Sequence, residues 1–136
     1  YASQPLITLT LEQQARLEEV AFNVYRPCCN NHTAFADCNH GMAMLGLLEL
    51  LASQDATVNE MFAAAKAVNG FWFPPQVVET AVFFKATMSL DYADVDPRLA
   101  TSREIFSGSG YSQVNQWLAA NELLSQSQGG GNSCGT

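Results

Sequence analysis

Cys28, Cys29, His32, Cys38 and His40 fall within 13 consecutive positions of a 136-residue chain. The stretch 26–44, RPCCNNHTAFADCNHGMAM, has the pattern C-C-x2-H-x5-C-x-H and contains three of the four cysteines and both histidines. Thiolate and neutral imidazole are the usual side-chain ligands of zinc, copper and iron. A short loop carrying several of them loses little closure entropy when it wraps one ion. The fourth cysteine, Cys134, lies in the tail and is the natural residue to close such a site.

Three chemistries compete for this loop. In the first, some four of Cys28, Cys29, His32, Cys38, His40 and Cys134 bind a metal. Zinc favours a tetrahedron of sulfur and nitrogen, whereas copper gains from soft sulfur, with Met42 and Met44 close behind His40. Iron–sulfur ranks behind both, because its fourth cysteine must come from the tail and the spacing matches no ferredoxin pattern. In the second reading no metal is present and the four cysteines form two disulfides. Removing such a bridge costs about 2 to 5 kcal/mol, which is reason enough for them. In the third, Cys38 is a nucleophile with His40 as its base, just ahead of a helix. Neighbours in sequence seldom supply that geometry, so no catalytic residue is assigned.

Composition narrows the partners. Six basic residues against 13 acidic ones give a net charge of −7, and the only lysines are Lys66 and Lys85. Phosphate backbones and anionic lipid surfaces need clustered cations, so nucleic acid is not an expected partner. No apolar run reaches the roughly 20 residues of a membrane span. The chain begins at Tyr1, and with its few lysines and many Asn, Gln and Ser it is expected to be an exported protein, extracellular or periplasmic, where an even cysteine count favours disulfides.

The elements that must hold the loop are helical. Residues 1–10, with Pro5, read as an extended arm. Thr10 and Gln13 form a capping box for a first helix from Leu11 to about Tyr25, which Pro27 ends. After the loop, Gly41 opens a second helix to about Ala52, apolar nearly all round and therefore expected to be buried on most faces. Thr57 and Glu60 cap a third helix that stops near Asn69 before Gly70 and turns Met61, Phe62, Ala65 and Val68 inward. The aromatic link Phe71, Trp72 and Phe73 reads as a plug. Pro75 starts a fourth helix to about Leu90 with Val78, Ala81, Val82, Lys85 and Met88 in register. Asp91, Asp94 and Asp96 read as a solvated turn, because the spacing and bidentate Glu of a calcium loop are missing. A short helix follows from Pro97 to Phe106. Ser107 to Gly110 breaks the chain, and a last helix spans about Ser112 to Ser125, burying Val114, Trp117 and Leu118.

The expected fold is therefore an all-α, irregular bundle of five or six helices over 11–125, with the Cys/His loop between helices 1 and 2 and a Gly-rich tail at 126–136. The expected function is metal binding for structure, storage or electron transfer. The alternative is a self-assembling extracellular structural subunit, a homo-oligomer or filament joined through the N-terminal arm.

Overall fold

The computed structural model describes residues 8–35 and 38–124. Among them run seven helices and no strand: α1 (Leu11–Ala21), α2 (Asn39–Ser53), α3 (Val58–Trp72), α4 (Pro74–Met88), α5 (Pro97–Ala100), α6 (Arg103–Phe106) and α7 (Gly108–Ala120). The chain is an irregular all-α bundle. The expectations of an extended arm and a glycine-rich tail fall largely on residues outside those described.

Both capping boxes form. At α1, Gln13 N–H donates to Thr10 Oγ1 at 3.1 Å and Thr10 N–H donates to the Gln13 side chain at 2.9 Å. Thr57 and Glu60 repeat the exchange at α3, at 3.1 and 2.8 Å. Each satisfies two of the donors a helix start leaves open, and a cap of this kind is worth about 1 kcal/mol.

Two apolar cores result. Leu17, Val20 and Ala21 of α1, Met44, Leu45, Leu48 and Ala52 of α2, and Met61, Phe62 and Ala65 of α3 form the first. Phe84 of α4, Val95, Ala100, Ile105, and Val114 and Leu118 of α7 form the second. Helix α3 packs on α1, α2, α4 and α5, so it connects the halves. Phe73 and Phe106 meet edge-on at 6.2 Å between centroids and extend that connection.

Several boundaries differ from expectation for local reasons. Helix α1 stops at Ala21, well before Tyr25. The Asn23 carboxamide folds back to donate to Glu19 C=O at 2.7 Å, and the carbonyls of Ala21 and Val24 are taken by the loop that follows. Helix α2 is not buried on most faces: Met42 and Leu50 are exposed, because α1 and α3 cover only one side. Helix α3 continues through Gly70, which splits the aromatic plug; Phe71 is 85% exposed, Trp72 is half-buried and Phe73 is buried. The helix expected over 97–106 divides into α5 and α6, where Tyr25 N–H donates to Thr101 C=O at 2.9 Å. In the acidic turn, Lys66 Nζ donates to the carbonyls of Tyr92 and Val95 at 2.6 and 2.9 Å.

The inward face of α4 is rotated from the apolar stripe. Gln76, Glu79, Thr80 and Phe84 are buried, while Val78, Lys85 and Met88 are exposed. A polar contact explains the rotation: the buried Glu79 carboxylate accepts from Tyr111 Oη at 2.7 Å and from Asn115 Nδ2 at 2.8 Å, tying α4 to α7. Helix α7 itself begins at Gly108, inside the run expected to break the chain. Ser107 Oγ accepts from Gly110 N–H at 3.0 Å, and a Cβ on Gly110 would stand 2.3 Å from Arg103 C=O. Only glycine admits that approach. Burial, reinforced by the bond to Glu79, pushes the Tyr111 hydroxyl well above its ordinary pKa, so it stays a donor. Replacing Tyr111 by Phe leaves Glu79 buried with one donor fewer and is expected to cost about 1.5 to 3 kcal/mol. Urea titration of the two proteins measures it directly; an unchanged midpoint refutes the role given to this contact.

Candidate functional site

The cysteine loop is pinned on both sides. On the α1 side, the N–H and hydroxyl of Thr33 both donate to Val24 C=O, at 3.0 and 2.9 Å, and Ala34 N–H donates to Ala21 C=O at 3.0 Å. On the other side, Gly108 N–H donates to Cys29 C=O at 2.7 Å and Ser109 N–H to Asn30 Oδ1 at 2.8 Å. These bonds satisfy donors of the first turn of α7 and fix the backbone that carries Cys28 and Cys29. Cys38 is held differently, as the N-cap of α2, with its Sγ accepting from Gly41 N–H at 3.4 Å. The positive end of a 15-residue helix therefore faces that sulfur.

These two anchorages bring three sulfurs together. The Sγ atoms of Cys28, Cys29 and Cys38 lie within 4.8 Å of one another, all partly shielded from solvent, a cluster that could hold a metal ion. An ion bonded to sulfur at about 2.3 Å spaces its thiolates about 4 Å apart, so little movement is needed. Cys28 and Cys29 are free thiols and Cys38 is disulfide-bonded. Engagement of all three by an ion thus requires Cys38 in its reduced form. Cys134 lies outside the described residues.

Charge around the cluster is arranged by a residue whose role was not read from the sequence. Arg26 is wholly buried, and its guanidinium fills the space where α2 has only a hydrogen at Gly41; a Cβ there would stand 3.0 Å from the guanidinium carbon. Burial pushes the Cys28 thiol up to about 12, helped by its hydrogen bond to Cys29 and the charge of that neighbour, while Arg26 pulls the other way. The free Cys28 thiol therefore keeps its proton at neutral pH. Arg26 and Gly41 flank the cysteines and histidines in sequence, but nothing in their types alone marks a buried charge and the gap that admits it.

The histidines sit among rings. His32 packs on Phe22 at 4.7 Å and edge-on to Tyr25 at 6.3 Å. His40, in the first turn of α2, lies 5.0 Å from Trp72 and 5.2 Å from Phe73. Neither belongs to the three-sulfur group. The structure therefore brings together three of the six candidate ligands and places two in aromatic contacts. No protein-family model, curated protein or solved structure matches this chain.

Burial, with the nearby Arg26 charge, lowers the His32 pKa below its ordinary value. The unfolded chain then binds the proton more readily than the folded one, so the contribution of His32 is fully present above about pH 6.5 and is lost as pH falls through the folded-state value. Thermal unfolding between pH 7 and 5 should show a falling midpoint, and a smaller fall in His32→Gln. Equal slopes for the two proteins would remove His32 as the cause.

Proposed function

We propose that the chain is a metal-binding helical protein whose centre is made of sulfur alone, with Cys28, Cys29 and Cys38 as ligands in the reduced state. The observation that carries this reading is the convergence of the three Sγ atoms within 4.8 Å. Three thiolates without imidazole suit a soft monovalent ion, Cu(I), better than zinc, which favours four ligands and would need one more donor. Arg26 offsets part of the negative charge that three thiolates bring, and the N-terminus of α2 stabilises the one at Cys38. The residues suit storage or transfer of the ion rather than a reaction.

The test is anaerobic titration of the fully reduced chain with Cu(I) against a chromophoric chelator. One ion per chain is expected. Replacing any of Cys28, Cys29 or Cys38 by Ser should weaken binding by about tenfold or more, while His32→Ala and His40→Ala retain it. A reduced chain that takes up neither Cu(I) nor zinc overturns the proposal, and loss of the ion in the histidine variants overturns the all-sulfur ligand set.

A second reading is supported by the disulfide at Cys38 together with two exposed apolar side chains, Leu11 at 91% and Phe71 at 85%. An exported structural subunit, stapled at Cys38 and associating with copies of itself, would use such side chains at its contacts. Sedimentation should then show an oligomer that Phe71→Ser weakens; a wild-type monomer at all concentrations rejects this reading.

A further inference from the structure

A cleft of about 510 Å³ opens between the end of α1, α3 and the junction of α5 with α6. Its volume falls within the range of small-molecule sites. Phe62, buried in the first core, lies at its base, and the Arg98 guanidinium stacks over that ring at 4.7 Å. Arg98 is already engaged: it donates to Asn59 Oδ1 and lies 3.9 Å from Glu19 Oε2.

Other polar groups on the cleft wall are uncommitted. The Ser102 hydroxyl oxygen is buried with no hydrogen-bond partner, although Ser102 stands at the N-cap of α6, where its side chain makes no capping bond. A buried polar atom left without a partner costs free energy, so a ligand that reaches it gains an unusually favourable contact. Among the described residues, neither Arg103 nor Glu104 makes an ion pair, and both line the cleft beside Ser102. Two of the six basic residues in a chain of net charge −7 therefore meet two carboxylates, Glu19 and Glu104, in one concavity. A simple anion would be repelled by those carboxylates and a simple cation by the arginines. A molecule carrying both signs meets a partner for each.

We propose that this cleft binds a small zwitterion, its carboxylate on Arg103 and the Ser102 hydroxyl and its protonated amine on Glu19 and Glu104. A free amino acid and a short peptide share that chemistry. The aliphatic part of Arg98, held over Phe62, then faces the apolar body of the ligand. The site is independent of the sulfur cluster and stands whether or not that cluster takes a metal.

The experiment is calorimetric titration of the full chain with each of the common amino acids and with alanyl dipeptides and tripeptides, followed by N-acetylated and C-amidated forms of whichever binds. Saturable binding is expected, and blocking either end should weaken it about tenfold or more. Tighter binding of free amino acids than of peptides, or the reverse, identifies which source the cleft takes. Arg103→Gln, an exposed substitution, should lose the same tenfold while the unfolding midpoint without ligand stays put, and Ser102→Ala should weaken binding without changing ligand preference. Absence of saturable binding by any zwitterion up to about 10 mM overturns the proposal. Acetylated and amidated forms that bind as tightly as the unblocked ligand overturn it too.

Discussion

Burying the Arg26 guanidinium is the constraint around which the sulfur loop is built. Removing a cation from water is expensive unless nearby groups compensate, and the cost sets conditions on everything in reach. Space must be left for it, which is why α2 carries glycine at position 41, where a Cβ would press on the guanidinium at 3.0 Å. Negative groups belong near it, and at Cys28 its pull works against the burial that raises the thiol. Positive ones do not: burial holds His32 toward its neutral form, and the Arg26 charge adds to that effect. A single buried charge thus connects the packing of α2, the protonation of a thiol and the state of an imidazole.

The loop can carry this charge because its backbone does not depend on its own residues for order. Its hydrogen bonds run to the end of α1 and the start of α7, two elements that belong to different cores. Cys38 adds a third support by capping α2. Movement of the two halves against each other would therefore be felt first between Cys28–Cys29, attached to α7, and Cys38, attached to α2. Within the second half, the buried contact of Glu79 with Tyr111 and Asn115 locks α4 onto α7, so that half moves as one piece.

The sequence was readable where a rule is local. Thr10 with Gln13 and Thr57 with Glu60 are complete signals within four residues, and both fold as they read. Proline at the start of α4 and the all-α class followed from the same kind of evidence. It was unreadable where a distant partner decides. Periodicity placed Val78 and Met88 inward on α4, but Tyr111 and Asn115, more than 30 residues on, turned Glu79 inward instead. The glycines at 108 and 110 looked like a chain break, yet they open α7 because Cys29 and the Arg103 carbonyl press close against them. In the cluster, residue types identified the cysteines, while side-chain direction separated them from the histidines, and direction depends on aromatic partners such as Phe22 and Trp72 that spacing within the loop does not reveal.

The aromatic contact of His40 has a spectroscopic consequence. The chain has two tryptophans, and they belong to different halves. Trp72 stands 5.0 Å from an imidazole in the turn that Cys38 caps, whereas Trp117 stacks edge-on against Phe83 at 5.3 Å beside the second core. Indole emission responds to the charge and polarity of its surroundings. The molecule therefore carries an optical gauge at the sulfur loop and an internal reference away from it, and replacing either tryptophan by Phe would let the other be watched alone.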